Sequence, residues 1–174
     1  MQIEDFEIRQ IQIEQVEMLL EMARSTFVTY FENTTSRENL ERYVEKSFTI
    51  DKIKSELENQ SSQFYFAKYQ KQNVGYLKVN FAGAQTELQD FRSLEIERIY
   101  VIEDFIGKNA AQTLFLKAVE IAKFNQLLYI WLGVWEYNKR AMRFYEKLGF
   151  KVFSNHIFMM GSEPQTDLLM KLEL

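Results

Sequence analysis

The 174-residue sequence contains no cysteine. That excludes a disulfide framework, a thiolate metal site and a cysteine nucleophile. It holds a single histidine, His156, so a multi-histidine metal site is excluded too and no metal is expected. Pro164 is the only proline, which rules out proline-rich linkers and polyproline II tracts. No apolar run reaches the ~18 residues of a membrane span. The acidic opening MQIEDFEIRQ lacks the apolar core of a signal peptide, so a cytoplasmic location is expected, with no membrane partner. Basic charge is in deficit, with a formal net charge of −4. This disfavours a nucleic-acid partner, whose phosphates call for a basic face.

What is present is a core. Hydrophobic residues make up 47% of the chain, with 15 Phe, 9 Tyr and 2 Trp among them. At this length a folded chain buries roughly 70% of its extended surface, so one domain spanning residues 1–174 is expected. The charge is unevenly spread. Residues 1–60 hold 13 acids and 7 bases, whereas residues 61–174 hold 12 acids and 14 bases. Solvated faces account for such a split, and so do ligands of opposite charge bound at different places.

The apolar spacing gives the order of elements. Ile3, Phe6 and Ile8 read as a strand. Glu14 to Phe31, Ser36 to Phe48 and Ile50 to Asn59 read as three helices, with Leu40, Tyr43 and Val44 inward on the second. Phe64–Ala67 and Gly75–Val79 read as a hairpin, and Gly83 to Asp90 as a loop. Leu94 to Ile102 is a strand and Asn109 to Phe124 a helix. Leu127 to Val134 is a buried strand, and Asn138 to Leu148 a helix stopped by Gly149. Phe150 to Met159 and Thr166 to Leu174 close the chain as strands. The fold class is α/β, or α+β, in one layered domain.

Two segments carry chemistry. Val101 to Ala111 joins a strand to a helix and is rich in small residues. A helix N-terminus with unpaired N–H groups attracts anions, and Lys108 adds a cation. The second segment runs from Trp131 to Phe150 and contains N-x-x-A-x-x-F-Y-x-x-L-G-F from Asn138 onward. Asn138 is a strong N-cap for that helix. Ala141, Phe144, Tyr145 and Leu148 form an apolar stripe on it, so Tyr145 is also explained as a core aromatic.

That motif resembles the last helix of the GNAT superfamily of N-acetyltransferases. Leu94-Glu95-Ile96-Glu97-Arg98-Ile99-Tyr100-Val101 and the loop after it are similar to the superfamily's acetyl-CoA motif. Ser62-Gln63-Phe64, Gly75 to Asn80, Ile130 to Glu136 and Gln165 to Met170 extend the resemblance to PaiA-type enzymes, a group associated with acetylation of spermidine and spermine. The resemblance implies a mixed, mostly antiparallel sheet of about seven strands, flanked by helices and split in a V between strands 4 and 5. It implies acetyl-CoA in that split, against Ile99, Tyr100 and Val101. The pyrophosphate would lie on N–H groups between Ile106 and Ala111, namely Ile106, Gly107, Lys108, Asn109, Ala110 and Ala111, with Asn138 and Ala141 on the far side. A small-molecule primary amine would attack the thioester directly.

Tyr145 matches the tyrosine that donates to the CoA sulfur, a role suited to a phenol with pKa near 10. Glu95 and Glu97, two positions apart, share a strand face and are both candidates for the base. Tyr30, Phe31, Glu32, Tyr43, Trp135 and His156 are assigned to the acceptor site, with Glu32, Glu38 and Glu41 as an acidic rim. The loop departs from the family pattern, placing Ile106 and Asn109 where a polar residue and a glycine are customary. Asn tolerates the left-handed conformation, and backbone donors survive both changes. Two alternatives are a GNAT enzyme for another amine (an amino acid, an antibiotic or a protein) and a non-catalytic acyl-CoA-binding regulator. Exposed end strands would permit a homodimer.

Overall fold

The computed structural model describes residues 1–160 and 163–174. After a 3-10 turn over Ile3–Asp5 the chain enters β1 (Phe6–Gln10). The first strand thus begins later than its apolar pattern predicts, because Asp5 takes the Gln2 amide hydrogen and turns the chain. A second 3-10 turn, Ile13–Gln15, leads into α1 (Val16–Phe31), followed by α2 (Arg37–Ser47) and α3 (Ile50–Glu58). Ser36 and Thr49 cap the last two, accepting the amide hydrogens of Asn39 and Lys52. Next come β2 (Ser62–Tyr69), β3 (Gln72–Phe81), β4 (Ser93–Val101) and α4 (Ala110–Phe124). β5 (Tyr129–Trp135), α5 (Lys139–Lys147), β6 (Lys151–Met160) and β7 (Glu163–Glu173) complete the chain.

The seven strands form one mixed sheet in the order β1-β2-β3-β4-β5-β7-β6. Only β4 and β5 run parallel; every other neighbouring pair is antiparallel. Side-chain alternation builds a core on each face. Tyr65, Ala67, Leu77, Val79 and Ile130 meet the Leu114–Ala118–Ala122 stripe of α4. Phe64, Phe66 and Tyr76 meet Leu19, Ala23 and Phe27 of α1, Leu40 of α2 and Ile53 of α3. Among the described residues no helix is long and apolar enough to cross a membrane.

Candidate active site

The β4–β5 ladder is three pairs long, from Ser93–Tyr129 to Glu95–Trp131. Beyond Glu95 the strands part, β5 staying with β7 and β4 with β3. A cleft of about 650 Å³ occupies the split. At its apex β4 carries a bulge: Lys78 pairs with Arg98, but Val79 pairs with Ile96, leaving Glu97 as the extra residue. The bulge reverses side-chain parity, so Leu94 and Ile96 share one core with Ile99 and Val101. Glu95, Glu97, Arg98 and Tyr100 all reach the cleft.

The end of β4 and the start of α4 form a cradle. Gly107 and Asn109 both adopt left-handed backbone, at φ 75° and 70°. Thr113 N–H makes the first intrahelical bond to Asn109, so the N–H groups of Ala110, Ala111 and Gln112 precede it. Those of Ile106 and Lys108 are already held by Glu103 and Phe105 carbonyls. Ile106, Gly107, Asn109 and Ala111 line the cleft, as do Ile99, Tyr100 and Val101. Ala110 is fully buried in the core, so only its N–H is available. Lys108 is exposed, its ammonium 5.5 Å from the Phe105 ring centroid, and lies outside the cleft lining. The open strand and the cluster of N–H donors fit a pantetheine arm followed by a pyrophosphate.

On the opposite wall Asn138 caps α5, its side-chain oxygen accepting the Ala141 amide hydrogen at 3.0 Å. The helix ends in a Schellman motif: Phe150 N–H bonds to the Tyr145 carbonyl and Gly149 N–H to that of Glu146. Tyr145 is thereby fixed at the base of the cleft. Burial, and secondarily Tyr30, push its phenol well above the ordinary range, so it is protonated at neutral pH.

The two strand carboxylates differ in environment. Glu97 accepts Lys78 at 2.6 Å and Arg98 at 2.9 Å, and both cations also pair with Glu56. Burial pushes Glu97 up, but Arg98 and Lys78 more than offset it and hold the carboxyl below its ordinary value. Glu95 pairs with no cation among the described residues. Thr86, through N–H and Oγ–H, and Asn80 Nδ2 donate to it. Burial wins there and raises its pKa.

Tyr30, Phe31, Tyr43, Trp135 and His156 line the cleft together with Phe27 and Phe48. Phe27 stacks on Tyr43 with 5.0 Å between centroids. The expected acidic rim is elsewhere. Glu32 is outside the cleft lining, and Glu38 and Glu41 pair with Arg42 and Arg37 on the exposed side of α2. The cleft's acids come instead from Glu87, Glu95, Glu97 and Asp167. His156 sits between two of them, 3.8 Å from Glu87 and 4.0 Å from Asp167. Gly133 leaves this corner open: a Cβ there would come within 3.6 Å of the Asp167 carboxylate. Arg140 also lines the cleft, its guanidinium 5.4 Å from the Tyr30 ring centroid.

Sequence reasoning missed Asp167, Glu87, Asn80 and Arg140. Asp167 sits in a stretch that carried the resemblance, which was the available signal. The bulge was also signalled, since the apolar residues of β4 fall at 94, 96, 99 and 101, a break in strict alternation.

The sequence matches the Acetyltransferase (GNAT) family over residues 17–150. An uncharacterised N-acetyltransferase of Lactobacillus delbrueckii subsp. lactis is 38% identical over 153 residues, 88% of each chain. The spermidine N(1)-acetyltransferase of Thermoplasma acidophilum is 27% identical over 150 residues, 84% of this chain and 88% of that protein. The crystal structure of the PaiA N-acetyltransferase of Thermoplasma acidophilum, in complex with coenzyme A, superposes with a TM-score of 0.81. That match has 25% identity and covers 97% of this chain and 99% of the other. With its split sheet, N–H cradle and family match, this chain belongs to the GNAT family and is an acetyl-CoA-dependent N-acetyltransferase.

Proposed function

We propose that the acceptor is a polyamine, of the spermidine or spermine type, acetylated on a primary amine by direct attack in a ternary complex. The observation that carries this reading is the set of carboxylates at one end of the cleft. Glu87, Glu95 and Asp167 line it, and no lysine or arginine pairs with them among the described residues. Carboxylates that no lysine or arginine neutralises, in a partly desolvated cleft, attract organic cations. The spermidine-acetylating relative supports the same class of acceptor.

Bound acetyl-CoA supplies the acetyl group as a thioester. Ile99 and Val101 backbone groups would flank its pantetheine arm, and the N–H groups from Ala110 to Gln112 its pyrophosphate. An alkylammonium has a pKa near 10.4 and must lose a proton before it attacks. Glu95 takes that proton at its carboxylate; its raised pKa makes it a better acceptor at neutral pH than ion-paired Glu97. Tyr145 donates its phenol hydrogen toward the sulfur as charge develops there.

The test is acetyl-CoA-dependent thiol release with spermidine, spermine, butylamine and glutamate as acceptors. The second ammonium is expected to raise kcat/KM at least about tenfold over butylamine. Equal rates with butylamine, or a preference for glutamate, would overturn the reading.

A further inference from the structure

Asn80 on β3 is fully buried and has no part in the chemistry described so far. Behind its amide, Ser62 Oγ–H donates to Oδ1 at 2.8 Å. With the oxygen occupied, both protons of Nδ2 point forward. One reaches Glu95 at 2.9 Å and the other Glu97 at 2.6 Å. A single nitrogen therefore bridges Glu95, which faces Asn80 across the ladder, and Glu97, the extra residue of the β4 bulge.

We infer that Asn80 is a positioning residue that holds Glu95 and Glu97 together and keeps Glu95 available as a carboxylate. The inference rests on the reading of Glu95 as the proton acceptor. The charge distribution explains why a neutral donor is placed there. Around the pair lie Arg98 of β4, Lys78 of β3 and Glu56 of α3. Thr86 and Glu87 face the cleft from the β3–β4 loop, His156 from β6 and Asp167 from β7. Lys78 and Arg98 are committed to Glu97 and Glu56. Glu95 thus faces carboxylates without a cation of its own, which favours its protonated, unreactive form. Two N–H donors aimed at the ionised forms oppose that without adding charge. Aspartate at this position would add a third negative charge, and leucine would remove the donors while keeping the volume. Serine at position 62 is part of the device, since its hydroxyl satisfies the buried Oδ1 and leaves both Nδ2 protons to the carboxylates.

The experiment follows the Glu95 side-chain carboxyl by carbon NMR titration, alongside the pH profile of kcat/KM. The variants are Asn80→Asp, Asn80→Leu and Ser62→Ala. The Glu95 midpoint is expected to rise by about one pH unit in both Asn80 variants and by less in Ser62→Ala. The acid limb of the profile should move with it. Activity on the alkaline side should return to within about threefold of the parent, with CoA affinity from calorimetry unchanged. An unmoved midpoint, or a loss of activity equal at every pH, overturns the proposal. A midpoint that moves under a fixed acid limb supports the hold of Asn80 on Glu95 and overturns Glu95 as the proton acceptor. Should the Asn80 variants fail to fold, Ser62→Ala decides, because it leaves every group around the carboxylates in place.

Discussion

The backbone carbonyl of Tyr145 accepts the amide hydrogen of Phe150 at 3.0 Å, and the two rings pack with 5.6 Å between centroids. The helix terminator thus also anchors the proposed proton donor. Gly149 makes this possible at φ 96°, and a Cβ there would meet Leu172 Cδ1 at 3.3 Å. Gly149→Ala is expected to cost about 1–2 kcal/mol. That lowers the melting temperature by about 2–8 °C and reduces kcat through a loosened Tyr145. Gly83→Ala, where a Cβ meets nothing within 4 Å, is the matched control and should leave both unchanged. Calorimetry and steady-state kinetics on the pair check the coupling between cap and chemistry.

Tyr145→Phe removes one oxygen from a ring that the core holds. The predicted loss in kcat is about 10²-fold, at the low end of proton-transfer contributions, with CoA affinity intact. Because burial raises this phenol's pKa, Tyr145 stays protonated as pH rises past the ordinary tyrosine range. The parent enzyme should therefore show no alkaline loss of kcat from this group below about pH 10. An unchanged kcat in the phenylalanine variant would remove Tyr145 from the mechanism.

Legibility followed the range of the interactions. The α5 motif, its Asn138 cap and its Gly149 stop are local, and each occupies in the structure the place that its residue type dictates. The left-handed backbone at Asn109 follows from the same kind of local reasoning. The acidic wall does not. Asp167 reaches the cleft only because β7 inserts between β5 and β6, and Glu87 arrives on a loop of no regular pattern. Counting charge along the chain pointed to the first sixty residues. Yet Glu38 and Glu41 are i,i+4 partners of arginines on a solvated helix face. Pairing over short distances along a helix consumed the charge that composition had offered to a ligand.

Asp167 offers a test in which affinity and stability move in opposite directions. Burial raises its pKa, opposed by His156. A carboxyl whose pKa is higher folded than unfolded binds more protons in the native state. Its ionisation therefore costs stability as pH rises from the unfolded-state value through the native one. Asp167→Asn removes the charge and is expected to stabilise the fold by about 0.5–2 kcal/mol at pH 7. The gain should shrink as pH falls through the native carboxyl's pKa. The same change should raise KM for spermidine about tenfold while leaving butylamine nearly unaffected. Urea unfolding at several pH values and acceptor kinetics measure the two effects separately. Weaker spermidine binding together with a less stable fold would mean that Asp167 is a structural group.

Glu97 should behave in the reverse way. Lys78 and Arg98 hold its carboxyl below the ordinary value, so it favours folding above the unfolded-state pKa. That contribution disappears as pH falls through the lower native value. Glu97→Gln leaves two buried cations to share Glu56 and is expected to cost about 3–5 kcal/mol at neutral pH, with a smaller difference from the parent in acid. Its kinetic effect is of another kind. Removing a negative charge beside Glu95 lowers the Glu95 pKa, so the acid limb of kcat/KM should shift to lower pH and persist. Glu95→Gln, by contrast, should abolish that limb and lower the rate by about 10²-fold. If the limb instead vanishes in Glu97→Gln and survives in Glu95→Gln, the ion-paired carboxylate is the proton acceptor, and the assignment of the two glutamates is reversed.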